Sequence, residues 1–270
     1  MRRLAMPRAA LRLESLSDRV VPSATWVEEA GVLTITGDSR ANDVEIIDDG
    51  TTLTITCDGE AVELEGDVTE IVLKLGSGND TVSYTLTGSL AADAARTLDV
   101  SLGNGHDSFT ATLADGAGLG DNATLNVVAR GMNGHDDLAF ETLAADVGAG
   151  ASLSVELGGG NGKDTLSYAY GGVLLGDLFL SASGGNGKDE LSGDLAFAAG
   201  STGTAEAEVF GGNGNDQLAL FVADDSGDDG DDTTEDASTL ANLLATADGG
   251  RGPDFADVSE GVEVIAAKTV

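Results

Sequence analysis

The chain has 270 residues, with 47 Asp and Glu against 13 Lys and Arg and a formal net charge of −34. Such a body repels phosphate backbones, which excludes nucleic acid as a partner, and no apolar run reaches the ~18 residues of a transmembrane helix. Aromatic residues make up only 4% while glycine reaches 39 of 270, about twice the ordinary ~7%, so a thin core of small aliphatic residues is expected.

Residues 1–26 stand apart. They carry Arg2, Arg3, Arg8, Arg12 and Arg19 against Glu14 and Asp18, whereas the remainder has eight Lys and Arg against 45 Asp and Glu. Arg8, Arg12 and Glu14 interrupt the apolar region a simple signal peptide would need. The stretch "RLESLSDRVVPSA" resembles the LEPR-type leaders that precede the repeat regions of certain bacterial surface proteins. That resemblance implies export or cell-surface placement of a repeat domain over 27–270.

From residue 31 to about 265 one phrase recurs. It is complete as G-G-N-G-x-D-x-L at Asp164, Asp189 and Asp216, and worn at Asp80, Asp107, Asp136 and Asp254, with a weaker relative around Asp43. The aspartates are 37, 27, 29, 28, 25, 27 and 38 residues apart, so the middle five intervals share one period. Ahead of each glycine run, apolar residues alternate with polar ones (Leu153, Val155, Leu157; then Leu178, Leu180, Ala182). Alternation resumes after the aspartate at Leu166, Tyr168 and Tyr170. This period of two marks strands with one buried face, and glycine lets the chain turn sharply between them.

One such unit cannot bury its inward side chains, but stacked units can. The expected fold is therefore all-β, a parallel β-solenoid of seven to eight coils with about 27 residues per coil. Val155, Leu180 and Val209 are expected in one inward stack, and Leu166, Leu191 and Leu218 in another. The glycine corners would form a column. Carboxylates one coil apart would repel by ~0.9 kcal/mol per pair in water and by ~3.5 at an effective dielectric of 20, so the column favours a cation. An all-oxygen donor set suits calcium better than magnesium. The competing reading is that the aspartates only cap the turns by accepting backbone N–H groups.

Residues 159–167, 184–192 and 211–219 resemble the calcium-binding nonapeptide of repeats-in-toxin (hemolysin-type) proteins. The resemblance implies Ca2+ between stacked corners, at Gly159, Gly160, Gly162 and Asp164, at Gly184, Gly185, Gly187 and Asp189, and at Gly211, Gly212, Gly214 and Asp216. It extends to Asp80, Asp107, Asp136 and Asp254 in the worn copies. Members of that family usually run nonapeptides in tandem, whereas here each coil holds one, so a single column is expected and the other corners are generic. Leu102 replaces the first glycine before Asp107, and Met132 the second before Asp136.

The remaining features read as structure. His106 and His135 occupy a slot that elsewhere holds Lys163, Lys188, Asn79, Asn215 and Pro253, which points to a solvent-facing position and away from zinc or acid–base work. Cys57 reads as a small packed hydrophobe. The run "ADDSGDDGDDTTEDAS" at 223–238 reads as an acidic insertion loop, and "GVEVIAAKTV" as a closure of the last coil. The expected function is a calcium-binding, secreted or cell-surface β-solenoid serving as a structural, matrix or adhesive module, with no enzyme activity of its own. The alternatives are a plain structural solenoid without bound ion and, less in keeping with the scattered basic residues, a polysaccharide-active enzyme.

Overall fold

In a computed structural model of the chain, residues 24–65, 68–142, 144–224, 242–252 and 254–258 are described. They hold no helix and form two large sheets and one small one. The first sheet stacks Val32–Thr36, Glu70–Ser77, Ala95–Gly105, Thr124–Gly134, Ser152–Gly162, Asp177–Gly187, Thr204–Gly214 and Asn242–Asp248, all parallel. The second stacks Asp43–Asp48, Thr81–Leu86, Ser108–Leu113, Asp137–Thr142, Thr165–Gly172, Glu190–Phe197, Gln217–Asp224 and Phe255–Val258, also parallel. Strands alternate between the two sheets along the chain. This is the parallel β-solenoid, with five regular turns between Asp80 and Asp216 and a longer turn on either side. No helix among the described residues is long and apolar enough to cross a membrane.

Alternation along each strand places one row of side chains inside. Leu166, Leu191 and Leu218 stack in register as expected. The other expected stack slips by two residues at its last member: Val155 and Leu180 are followed by Ala207, while Val209 lies on Ala182. Counting back from the aspartate gives the same answer, since Ala207 and Leu180 both stand nine residues before it. The core also holds larger groups than a purely aliphatic rod would. One row runs Tyr84, Ala111, Phe140, Tyr168, Gly193, Leu220, mixing large with small. A Cβ on Gly193 would collide with the Tyr168 ring, so the glycine provides the space that the tyrosine fills.

The glycine-rich segments are bent strands and not free turns. Pairing between coils continues through them, with Gly160 opposite Gly185, Asn161 opposite Asn186 and Gly162 opposite Gly187; only Gly159 and Gly184 drop out of the ladder. On the far side of the coil a small parallel sheet forms from Ser89–Leu90, Gly118–Leu119 and Asp146–Val147. This second corner is also specified. Asp93, Asn122 and Gly150 all have positive φ there (63°, 57° and 69°), and Asp, Asn and Gly are the residues that tolerate it.

One end of the rod is closed by antiparallel strands. Thr25–Glu29 pairs with Val32–Thr36, and Thr52–Cys57 and Glu60–Glu65 extend the second sheet beyond Asp43–Asp48. A buried ion pair ties Asp43–Asp48, the strand on which this cap pairs, to the first regular coil. The Arg96 guanidinium donates to both oxygens of Asp48, with Nε at 2.8 Å from Oδ2, and the Tyr84 hydroxyl donates to Oδ2 at 2.9 Å. Arg96 takes the inward position that Leu125, Leu153 and Leu178 take in later coils. The acidic run lies outside the described residues from 225 onward, as do residues 1–23 and the closing segment after 258.

Replacing Arg96 by Leu leaves the Asp48 carboxylate buried without its cation. Chemical unfolding of that variant should show a loss of about 3–5 kcal/mol. The double change Arg96→Leu with Asp48→Leu should recover most of it; an equal or greater loss in the double variant would mean that packing, and not the unpaired charge, sets the cost.

Candidate functional site

The aspartate corner is built by close approach of coils. Gly160, Gly185 and Gly212 hold φ of 105°, 100° and 96°, in the left-handed region that glycine alone enters freely. A Cβ on Gly162, Gly187 or Gly214 would collide with the glycine carbonyl of the coil before it. Met132 holds φ of 78° in the slot of Gly160 and keeps its side chain exposed. The first glycine has a different task. A Cβ on Gly159 or Gly184 would stand 2.5 Å from Oδ2 of Asp164 or Asp189, and one on Gly211 2.7 Å from that of Asp216. Its missing side chain is the room in which the carboxylate folds inward.

The aspartates from Asp80 to Asp216 consequently lie buried, and with the half-buried Asp254 they form one continuous ladder. The backbone N–H of Asp80 donates to Oδ1 of Asp107 at 2.8 Å, that of Asp107 to Asp136 at 3.0 Å, and that of Asp136 to Asp164 at 2.9 Å. The series continues from Asp164 to Asp189, Asp189 to Asp216 and Asp216 to Asp254, each at 2.9 Å. Each carboxylate thus caps the coil that precedes it in sequence. The column begins at Asn42, whose N–H donates to Oδ1 of Asp80. The weak repeat is therefore centred on Asn42 and not on its exposed neighbour Asp43. The expected site aspartates Asp80, Asp107, Asp136, Asp164, Asp189, Asp216 and Asp254 all fall into this one column, the worn copies included. Leu75 and Leu102 fill the first-glycine slot as core residues.

Capping uses only half of each carboxylate. Oδ2 of Asp107, Asp136, Asp164, Asp189, Asp216 and Asp254 is buried without a hydrogen-bond partner. Among the described residues no three His, Cys, Asp or Glu side chains converge on a common point, so a cation at this corner would take one carboxylate oxygen per coil and complete its shell with backbone carbonyls. The donor chemistry fits a hard, oxygen-seeking ion, and the orphaned Oδ2 atoms are the groups such an ion would satisfy. Burial, more than anything else, pushes the carboxyls of Asp80, Asp107, Asp136, Asp164, Asp189 and Asp216 above the ordinary carboxylate value, against the pull of the donated N–H. Asp164, with Asp189 and Asp136 adding repulsion from either side, is pushed up to about 6.

Two further ladders run beside the first on the outer rim. The amide Nδ2 of Asn133 donates to Oδ1 of Asn104, and Asn161, Asn186 and Asn213 repeat the bond at 2.9 Å each. In the slot before the aspartate, the N–H of His135 donates to Nδ1 of His106 at 3.2 Å, and that of Lys163 to Nδ1 of His135. The two rings stack with centroids 4.9 Å apart. The expected solvent-facing role holds for both histidines, which are exposed, but each also has a structural bond that the sequence pattern did not reveal. Cys57 is buried, and burial pushes its thiol up to about 11. No family model, curated protein or solved structure matches the chain.

Two measurements test the ladder. Asp189→Ala leaves the Asp164 N–H buried without an acceptor and should cost about 1–3 kcal/mol, whereas Asp189→Asn keeps an acceptor oxygen and should cost much less; equal losses would deny the cap. The second concerns pH. A carboxyl raised in the folded state, from 3.8 to about 6 for Asp164, stabilises fully below the lower value and loses that contribution as pH climbs through the higher one. In calcium-free buffer, urea unfolding between pH 4 and 7 should show wild-type stability falling more steeply than that of Asp164→Asn. Parallel profiles would contradict the buried-proton account.

Proposed function

We propose that this chain is a calcium-binding structural β-solenoid, a module of a cell surface or extracellular matrix. The observation that carries the reading is the column of buried, unpartnered Oδ2 atoms, one per coil from Asp107 to Asp254. At neutral pH Asp164, raised only to about 6, is mostly ionised, and adjacent bare carboxylates at this spacing repel by ~3.5 kcal/mol per pair at an effective dielectric of 20, a repulsion that a bound cation would relieve. Extracellular calcium, at millimolar level, is the abundant ion whose chemistry matches oxygen-only ligands. The ions would be held by Asp164, Asp189 and Asp216 in the corners that keep the complete phrase, and by Asp80, Asp107, Asp136 and Asp254 in the worn ones, of which the last still has all three glycines. The leader-like segment at 1–26 and the acidic body agree with export into a calcium-rich compartment.

The same reading makes the module non-catalytic. His106 and His135 spend their Nδ1 lone pairs on backbone N–H groups, and the buried Cys57 thiol is far from ionised at neutral pH. A second reading, the plain structural solenoid without bound ion, is favoured by the Oδ1 ladder, which caps each corner from Asn42 to Asp216 with no ion.

Calcium bound to the folded form adds RT ln(1 + [Ca]/Kd), about 1.4 kcal/mol per ion for ~1 mM calcium over a ~0.1 mM site. Thermal melts at pH 7.5 with calcium and with chelator should therefore differ by several degrees, with magnesium substituting poorly. Asp189→Ala should lose more of the calcium-dependent shift than Asp107→Ala, whose corner has Leu102 in place of the first glycine. Identical melts for wild type with and without calcium would leave the plain structural solenoid without bound ion as the function.

A further inference from the structure

We infer that the rim of the aspartate corner binds a linear acidic polysaccharide lying along the solenoid axis, its carboxylates on His106, His135, Lys163 and Lys188. This inference rests on side chains outside the buried column and is independent of the calcium reading.

The charge map leads to it. Of the eight Lys and Arg beyond residue 26, Arg96 is buried against Asp48 and Lys268 lies outside the described residues. The other six (Arg40, Lys74, Arg130, Lys163, Lys188 and Arg251) all stand within the glycine-rich segments or the strand ends that enter them, Arg130 in an exposed ion pair with Asp99 at 2.7 Å. The opposite corner presents Asp49, Asp93, Asp115, Asp121 and Asp146, all exposed, and none of these six cations. A strongly acidic rod has gathered its exposed cations along one edge.

Hydrogen-bond bookkeeping sharpens this edge into a donor row. The Nδ1 atoms of His106 and His135 each accept a backbone N–H, so each ring must carry its proton on Nε2 and present a donor to solvent. Lys163 and Lys188, exposed in the same slot of the next two coils, offer only donors. Four consecutive coils thus present four donor-only groups, one per ~4.8 Å of axis. That is roughly the spacing of successive sugars in an extended chain.

The flanks fit the rest of a uronic acid. On one side Asn133, Asn161 and Asn186 each use one amide N–H and one carbonyl lone pair in the ladder, leaving one of each for a ligand. On the other side, where the second sheet begins, Asp137 and Glu190 are exposed and offer acceptors to sugar hydroxyls. A simple polyanion would find those two carboxylates repulsive; a polymer bearing both carboxylates and hydroxyls finds a partner for each. The repulsion that excludes nucleic acid, with one charge per ~1.7 Å of axis, is several-fold weaker for a polymer with one carboxylate per sugar. At ~0.15 M salt, charges farther from the rim than the Debye length of ~8 Å, about two coils, are largely screened.

The test uses an oligogalacturonate of eight residues, a neutral glucan oligomer of equal length and the full chain, titrated calorimetrically at 0.15 M salt with chelator and again with calcium, folding checked by circular dichroism in each buffer. The acidic oligomer should bind and the neutral one should not. Lys163→Glu with Lys188→Glu should weaken binding at least tenfold in whichever buffer keeps the fold, and the milder Lys163→Gln with Lys188→Gln should weaken it less while melting like wild type. Binding that appears only with calcium and survives charge reversal would be ion bridging to the acidic body and would overturn the proposal. So would an absence of binding, or a wild-type oligomer that the charge reversal dissociates without any glycan, since the row would then be a contact between copies.

Discussion

The hydrogen bond from the backbone N–H of one aspartate to the carboxylate of the next coil's aspartate sets the terms for everything else in this molecule. Parallel stacking satisfies the backbone groups of the strands, but where the chain bends out of one sheet and into the other an N–H is left pointing along the axis. A buried N–H without a partner costs about 1–3 kcal/mol, and the defect would recur at every coil. Asp has the reach to supply an acceptor from the next coil, provided its own corner leaves room for the carboxylate. The glycines leave that room. The second and fourth positions of the phrase let the backbones of neighbouring coils lie directly against one another, and the first lets the carboxylate fold inward.

That solution creates its own difficulty. A carboxylate has two oxygens, the N–H occupies one, and the inward fold leaves the other in the dry interior. Asn at every corner would have avoided the charge, and the chain does use it once, at Asn42 where the column begins. Its retention of Asp through the following coils keeps a line of anions that only protons or cations can neutralise. A group whose charge is costly at neutral pH is one whose ionisation couples to folding, and the repetition multiplies that coupling along the rod. The column therefore makes a solenoid whose stability follows its ionic surroundings, which a neutral asparagine ladder such as the one on the outer rim cannot do.

Much of this was legible in the sequence because the physical demands are periodic. The spacing of Asp107, Asp136, Asp164, Asp189 and Asp216 sets the coil, the two-residue alternation sets the inward rows, and the glycines mark the corner. The antiparallel cap was not read, although its signal was present. Asp49-Gly50 and Asp58-Gly59 flank the alternating "TLTITC", and Asp58 and Gly59 both have positive φ (48° and 84°), the signature of a two-residue hairpin. The repeat logic absorbed this segment as a long interval, when the length of the interval was itself the evidence of an inserted hairpin. The Arg96–Asp48 pair was illegible for a different reason. Each residue occupies an inward slot where the pattern wants an apolar side chain, and nothing local tells which of many charged residues will find its partner across the core.

The direction of the ladder adds an asymmetry that the period alone conceals. Because each carboxylate caps the coil before it, a corner is complete only once the following coil is in place. The first coil needs no aspartate of its own and has Asn42; the antiparallel strands cover that end, where no further parallel coil can add. At the other end the Asp216 N–H depends on Asp254, in a coil joined to the rest through the long acidic insertion. The phrase "GGRGPD" there keeps the aspartate and all three glycines, with Arg251 in the asparagine slot, whereas in the earlier worn copies Leu75, Leu102 and Met132 replace glycines and only the aspartate is never lost. What is kept in a worn repeat is the group its neighbour uses. By that criterion the aspartate is first a structural cap, and any ion it holds is bound by the oxygen that capping leaves over.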